Sequence, residues 1–380
     1  MKVGTMLTKT DADFLQRAME LAERGLGHTR PNPPVGAVIV KNGKIIGEGW
    51  HRKAGGDHAE VAAIKNALKK ISASAVRLRS SPSPLKGASL YVTLEPCSKP
   101  GRVGACTDAI VAAGIGRVVF AVPDPNPTNR GRARRVLAKA GVDCRCLATD
   151  RSVMKREQPT NDAAWLRDLV KAAQQLIAPF AKHVKTGLPF VTVKLAMSLD
   201  GKICDDFGNA RWISSAASRK TTGKCRERVD AIMVGAETIR KDNPSLLSHG
   251  KRNDDLIRVV VTRSGKLPKN AQIFTDGAPN KTKVFRVGKD AKDLKDVLCQ
   301  LGKMGVMHVL CEGGLKLARS LADAGLVDEW ITVLAPVVIG SRPIARALRG
   351  VMEIMDDDGC CSYVQDAFSF VNFNQRYFKE

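Results

Sequence analysis

The chain has 380 residues, 44% of them hydrophobic and 26% charged, which excludes a disordered polymer and leaves room for two domains of ordinary size. Lys and Arg total 61 against 38 Asp and Glu, a formal net charge of +23, so an anionic partner is expected, either a phosphorylated small molecule or nucleic acid. Aromatic residues are only 5% and the basic residues are dispersed, which argues against a stacking platform for single strands, and no apolar run of about 18 residues offers a membrane span.

The opening MKVGTMLTKTDADFLQRAME lacks the apolar stretch of a secretory signal, so a cytoplasmic location with reduced thiols is expected. Ten cysteines are too sparse here for a disulfide scaffold. Residues 10–24 predict an amphipathic helix, with Thr10 and Asp13 at capping-box spacing and Phe14, Ala18, Leu21 and Ala22 on one face. In VGAVIVKNGKIIGEGW, Asn42-Gly43 between two apolar runs predicts a hairpin, because a type I′ turn needs φ > 0 at both central residues. HAEVAAIKNALKK predicts a helix from about His58, and the Ser/Pro-rich, basic stretch 72–87 a surface loop. SLYVTL, RVVFAV and VDCRCL read as strands, alternating with helices that Gly114 and Gly141 close.

The strand pattern stops over 150–187, where a helical stretch is ended or kinked by Pro179. This places a first domain at 1–150, a helical connector at 151–184 and a second domain at 185–380. In the second, PFVTVKLAMSLDG, AIMVGA, IRVVVT, KVFRV, VMHVLC and EWITVLAPVVIG read as strands, and 215–228, 291–304 and 315–324 as helices. Both domains are of α/β class.

The chemistry of the first domain is carried by three short segments. Cys97 follows a strand and Pro96, Cys106 opens a helix, and His58-Ala59-Glu60 opens another. Two such thiols could be a disulfide, two core residues or two metal ligands; the reducing location weighs against the first. One imidazole and two thiolates match a catalytic zinc site with an open position for water, and helix N-termini favour thiolates. Glu60 stands where a carboxylate can shuttle a proton from water to a leaving amine. His-x-Glu followed by Pro-Cys and a second Cys is the ordered set of zinc nucleobase deaminases, although eight residues separate the cysteines here rather than two. In the second domain no Gly-x-Gly-x-x-Gly follows a strand, so a standard Rossmann fingerprint is absent, while VLCEGGLKLARSL offers backbone amides at a helix N-terminus to a phosphate.

TLEPCSKPGRVGAC resembles the TLEPCSHHGRTPPC of the bacterial bifunctional riboflavin-biosynthesis deaminase/reductase family, with the same spacing, and RPNPPVGAVIV, GEGWH and DPNP also match. The resemblance runs from about residue 11 into the last strands. It implies a cytidine-deaminase-like three-layer domain followed by a dihydrofolate-reductase-like domain. It implies one Zn2+ per chain on His58, Cys97 and Cys106, Glu60 as proton shuttle, and Asn32 on the pyrimidine. For the second domain it implies NADPH contacts at Ala196, Trp212, Thr238 and Asp242 and along Gly314, Leu315, Lys316, Leu317, Ala318, Arg319 and Ser320. Substrate contacts are implied at Arg226, Leu246 and Glu312, with Arg226 suited to the sugar phosphate. The chain departs from the family at Lys99 and Pro100, where two His are usual, at Val103 for Thr, at Ala210 for Ser and at His249 for Arg. The family's Asn-x-x-Phe segment after the first domain can be placed at Asn161 or at Ile177.

The implied activity is deamination of 2,5-diamino-6-(5-phosphoribosylamino)pyrimidin-4-one, then NADPH-dependent reduction of the ribosyl chain to ribityl. The implied partners are a phosphorylated pyrimidine and a second copy of the chain, joined through the reductase domain, with no membrane and no nucleic acid. One rival is an RNA-directed nucleobase deaminase with a basic accessory domain. Another is a non-catalytic basic protein with a structural four-ligand zinc, for which His51 is the candidate fourth ligand; His51 is expected as an exposed strand-end residue instead.

Overall fold

The computed structural model describes residues 7–74, 83–99, 104–150, 161–205, 213–247, 256–288, 291–339 and 367–372. They form two compact units that divide between Thr186 and Gly187.

In the first unit β1 (Gly36–Lys41), β2 (Lys44–Trp50), β3 (Ser89–Leu94), β4 (Arg117–Val122) and β5 (Asp143–Cys146) make one sheet in the order β2-β1-β3-β4-β5. β1 runs antiparallel to both its neighbours, and β3, β4 and β5 run parallel. Asn42 and Gly43 have φ of 51° and 71°, so the predicted hairpin turn forms. Alternation along the strands sorts side chains to two faces. Ala37, Ile39, Leu90, Val92, Val118 and Phe120 pack with Ala63 and Ala67 of α2 (Ala59–Ser74), Ile110 of α3 (Cys106–Ala112) and Leu137 of α4 (Arg132–Lys139). The opposite face takes α1 (Lys9–Glu23), whose Phe14 ring meets that of Tyr91 at 5.1 Å. The result is the three-layer arrangement that the resemblance implies.

Two glycines set how close α2 lies. A Cβ on Gly47 stands 2.6 Å from the Ala63 carbonyl oxygen, and one on Gly49 stands 2.6 Å from that of Ala59. Any side chain at these positions pushes the helix, and the His58 that precedes it, off the sheet.

The α1 capping box lies two residues earlier than the sequence reading has it. Thr8, not Thr10, is the N-cap, and Asp11 is its partner. Both pairs have the right spacing; Asp11 wins because tertiary partners also claim it. Its carboxylate accepts from the Thr8 amide (2.9 Å), the Tyr91 hydroxyl (2.6 Å) and Arg117 Nη1 (2.9 Å). α2 runs on to Ser74, into the predicted 72–87 loop, of which residues 75–82 lie outside the described residues. Two further helices, α5 (Asn161–Leu176) and α6 (Ala178–Thr186), fall in the first unit, broken at Ile177 just before Pro179, and α5 packs on α1 and β4.

The second unit is a seven-stranded sheet of order β12-β11-β6-β10-β7-β8-β9, built from β6 (Phe190–Ser198), β7 (Ala231–Gly235), β8 (Ile257–Thr262), β9 (Thr282–Arg286), β10 (His308–Cys311), β11 (Glu329–Ala335) and β12 (Ala367–Asn372). All neighbours are parallel except β11 and β12. Its helices are α7 (Ala216–Glu227), α8 (Ala236–Asp242), α9 (Gln272–Thr275), α10 (Ala291–Lys303) and α11 (Leu315–Asp323). α10 and α11 cover one face through Leu298 and Leu321, and α8 covers the other through Ile239. The central strands β7, β8 and β10 are buried on both sides, which is why they read as largely apolar runs, whereas the edge strand β9 is not.

Burial raises the Asp11 carboxyl, but the Tyr91, Thr8 and Arg117 hydrogen bonds outweigh it and hold the group below its ordinary value. A depressed folded-state pKa stabilises the fold above the unfolded value, near pH 4, and that stability is lost as pH falls through the folded value. Asp11→Asn is therefore expected to cost roughly 1.5–3 kcal/mol at pH 7 and to flatten the acid side of the stability profile in urea titrations.

Candidate active site

The first unit brings its three predicted metal donors together. β3 ends at Leu94, Pro96 stops the strand, and Cys97 follows. His58 immediately precedes α2, and Cys106 is the first residue of α3. His58 Nδ1 lies 3.2 Å from Cys106 Sγ and 3.5 Å from Cys97 Sγ, and the three donor atoms lie within 4.8 Å of one another. Ordinary Zn–N and Zn–S bonds in a tetrahedron put N and S about 3.6 Å apart, so this donor set fits zinc in both chemistry and spacing.

The electrostatics show what the donors lack on their own. The Cys97 thiol is lowered to about 4, first by a hydrogen bond from the Cys106 thiol, with His58 and the Cys106 amide adding to it against burial. That shared bond, with burial and the Glu60 charge, pushes Cys106 far up. His58 is raised by its bond to Cys97. Ionising one of these thiols thus opposes ionising the other, and a dication on the donors relieves that opposition. Glu60 is 4% exposed; burial pushes its carboxyl up, and the Cys97 charge adds to that.

A cleft of about 110 Å³ opens on His58, Glu60 and Cys97, with Cys106 buried behind them, and is lined also by Asn32, His51, Leu94, Asp124 and Phe180. His51 is not the exposed residue expected: it is 2% exposed. Its amide donates to the Val35 carbonyl, carrying the β1–β2 pairing past Trp50 and tucking the ring under the 25–34 loop. His51 Nδ1 is 2.9 Å from the Asp57 carbonyl, which can only accept, so Nδ1 carries the proton. Nε2 then accepts from Asn32 Nδ2 at 3.1 Å. Both His51 nitrogens are engaged, so it is no fourth metal ligand. The Asn32 amide is oriented with its NH2 on His51 and its oxygen, an acceptor, on the other side.

Sequence reasoning gave no role to Glu95 or Phe180. Glu95, 3% exposed, accepts from the amides of Asp124 (3.2 Å), Gly131 (3.0 Å) and Ala133 (3.2 Å), fastening the 124–133 segment and the start of α4 onto the end of β3. Phe180 follows Ile177 at the Asn-x-x-Phe spacing, and Ile177, which stands for the Asn in that placement, is fully buried. The Ile177 placement puts its Phe on the cleft wall, and α5 lies between the two candidate placements. Lys99 is exposed; Pro100 and Val103 lie outside the described residues.

In the second unit, Arg226 of α7 donates from Nε and Nη2 to the two carboxylate oxygens of Glu312, each at 2.7 Å. Its Nη1 reaches the Leu247 carbonyl at 3.4 Å. Leu246, 2% exposed with φ 55°, lies in the same turn. Buried Arg258 fixes that turn by donating to the Ser245 carbonyl at 2.8 Å. Arg226, Leu246 and Glu312 therefore converge, with Arg226 already gripping a carboxylate. Ala196 lies on β6, Thr238 and Asp242 on α8, and Gly314 to Ser320 at the start of α11. The carboxyl ends of β6, β10 and β7 lie side by side, where open α/β sheets bind ligands. Gly313 allows the β10–α11 turn to approach, since a Cβ there lies 3.3 Å from the Gly235 amide. Gly314 caps α11 with no side-chain bond, which leaves its first amides for an anion. Trp212, Ala210 and His249 lie outside the described residues.

Two family models match the chain: the cytidine and deoxycytidylate deaminase zinc-binding region over residues 8–122, and the RibD C-terminal domain over 189–367. The riboflavin biosynthesis protein RibD of Bacillus amyloliquefaciens is 36% identical over 361 residues, covering 89% of this chain and 87% of that protein. The Escherichia coli RibD is 34% identical over 362 residues, covering 87% and 89%. Among solved structures, Acinetobacter baumannii RibD superposes with a TM-score of 0.70 at 33% identity over 88% of each chain. The diaminohydroxyphosphoribosylaminopyrimidine deaminase/5-amino-6-(5-phosphoribosylamino)uracil reductase of Thermotoga maritima gives 0.71 at 31% identity, covering 87% and 88%. A RibD C-terminal domain over the second half leaves the RNA-directed alternative unsupported, and no described helix is long and apolar enough to cross a membrane. The chain belongs to the RibD family of riboflavin biosynthesis proteins, bifunctional enzymes in which a zinc deaminase is joined to an NADPH-dependent reductase.

Proposed function

We propose that the two units carry out the two reactions named for the Thermotoga maritima relative, with His58, Cys97 and Cys106 as the zinc ligands and Glu60 as the proton carrier. The observation that carries this reading is the convergence of those three donors beside a buried carboxylate in one cleft. Zinc held by these three donors would supply the Lewis acidity that makes water a nucleophile near neutral pH. Asn32 presents its amide oxygen to a pyrimidine N–H, held in that orientation by neutral His51. Leu94 and Phe180 pack on the ring and exclude bulk water. Glu60 takes the proton from the attacking water and passes it to the departing amine, so that the C2–N bond breaks and ammonia leaves.

In the second unit NADPH held by α8 and the start of α11 would supply hydride to the opened ribosyl chain. Glu312 is aimed by Arg226, which still has N–H groups on Nη1 and Nη2 for a phosphate oxygen. The α11 N-terminus, with Thr238 and Asp242 across the crevice, suits the phosphates and ribose of the dinucleotide. We also infer a homo-oligomer built through this unit. Its support is β9, an edge strand of the described sheet with Val284 exposed, and sedimentation as a monomer at micromolar concentration overturns it.

The deciding experiment supplies the diaminopyrimidine ribosyl phosphate with and without NADPH and identifies the products by mass. Loss of the amine alone, followed by a gain of two hydrogens once NADPH is added, is the expected result; NADPH consumption without prior amine loss is the opposing one. The purified protein is expected to hold about one zinc per chain. Glu60→Gln should keep the zinc while deaminase kcat falls by about 10²–10⁴ and the reductase rate stays unchanged. Arg226→Met, which strands Glu312 without its partner, is expected to lower the stability of the second unit by about 3 kcal/mol in denaturant titration and to abolish reduction, with zinc content intact.

A further inference from the structure

The 124–133 segment is fastened to the Cys97 segment in two places. Glu95 takes its ends, as described. Its middle reaches back through the side chain of Asn129, which is 7% exposed. Asn129 Oδ1 accepts from the Ser98 amide and from the Ser98 hydroxyl, each at 3.0 Å. Asn129 Nδ2 donates to Asp124 Oδ2 at 2.8 Å and, at a longer 3.5 Å, to the Pro96 carbonyl. These partners fix the amide orientation. Flipped, the NH2 would face the Ser98 N–H and the oxygen would face a carboxylate and a carbonyl. Pro96 and Ser98 are the two chain neighbours of Cys97, so one buried amide holds the backbone on both sides of a thiol ligand. The same amide holds Asp124, whose carboxylate lines the cleft.

We propose that Asn129 is a positioning residue for the deamination, fixing the place of the Cys97 sulfur relative to His58 and Cys106 and the direction of the Asp124 carboxylate on the cleft wall. The inference rests on the reading of His58, Cys97 and Cys106 as zinc ligands. Metal–ligand distances tolerate only about 0.2 Å of error, so a ligand just past the end of a strand needs its backbone held. On the far side, Cys97 is tied to α3: its carbonyl accepts from Thr107 at 3.2 Å and its sulfur accepts from the Cys106 amide at 3.3 Å. Asn129 supplies the tie on the near side. An apolar residue of similar size leaves the Ser98 amide without this partner and Asp124 with one donor fewer. The cost then falls on ligand geometry rather than on the core, because neither Asn129 nor Ser98 belongs to the apolar cluster beneath the sheet.

The test uses the full-length, zinc-loaded protein and begins with zinc stoichiometry and chelator competition on the wild type. A wild-type protein without zinc at these ligands overturns both this inference and the ligand reading. With zinc present, Asn129→Val is expected to weaken zinc retention about tenfold and to lower deaminase kcat about tenfold, with KM changed by less than about twofold. The cobalt-substituted variant should show shifted thiolate and ligand-field absorption bands, and the reductase rate, read on the other unit, should be unchanged. Wild-type zinc retention together with unaltered cobalt bands overturns the inference and leaves the ligand reading standing. If Asn129→Val loses reductase activity as well, Asn129→Ala decides. It removes every bond of the amide without adding a branched side chain, and a shift in its cobalt bands supports the inference while an unchanged spectrum overturns it.

Discussion

Two thiols and one imidazole held within 4.8 Å of one another, largely out of water, make the constraint on which the first unit depends. Without a cation the two thiols oppose each other's ionisation, Cys97 being eased towards the thiolate and Cys106 held back from it. The surrounding elements keep this unfavourable cluster in place. Gly47 and Gly49 let α2 press on β2 and so fix His58. Pro96 ends β3 at the right residue, and α3 begins on Cys106. Glu95 uses a buried carboxylate to bind three amides of a segment some thirty residues further on.

The second unit solves a different problem with different means. It needs open backbone amides and a fixed carboxylate rather than a dense donor set. A parallel sheet provides both, because β7 and β10 are parallel neighbours and the turns that follow them leave the same end of the sheet. Glu312 is held by two hydrogen bonds from Arg226, 86 residues away in sequence. The planar guanidinium fixes the plane as well as the position of the carboxylate, which a lysine could not do.

What could be read from the sequence was chemistry that resides in residue types. His-Ala-Glu, Pro-Cys and Cys at the head of a helix announce ligands because few other uses need that order, and Asn42-Gly43 announces a turn because few residues accept its backbone. What could not be read depends on partners distant in the chain. Thr8 displaces Thr10 as the α1 cap because Tyr91 and Arg117 claim Asp11. His51 is buried because the 25–34 loop covers it, which no local pattern announces. Phe180 lines the cleft from beyond the 16-residue helix α5, far along the chain from the metal donors, so no local pattern marks it. Arg226 and Glu312 were each legible as candidates, but their pairing was not.

The three ligands also lie far apart along the chain: 39 positions separate His58 from Cys97, and 9 separate Cys97 from Cys106. A cation on them is therefore a cross-link between segments as well as a reagent. Closing a loop of that larger size restricts the unfolded chain by about 3 kcal/mol of configurational entropy, beyond whatever the coordination bonds contribute. The first unit thus has its reagent and its brace in the same atom, while the second has neither need, so the two halves of one polypeptide should respond differently to the same supply of metal.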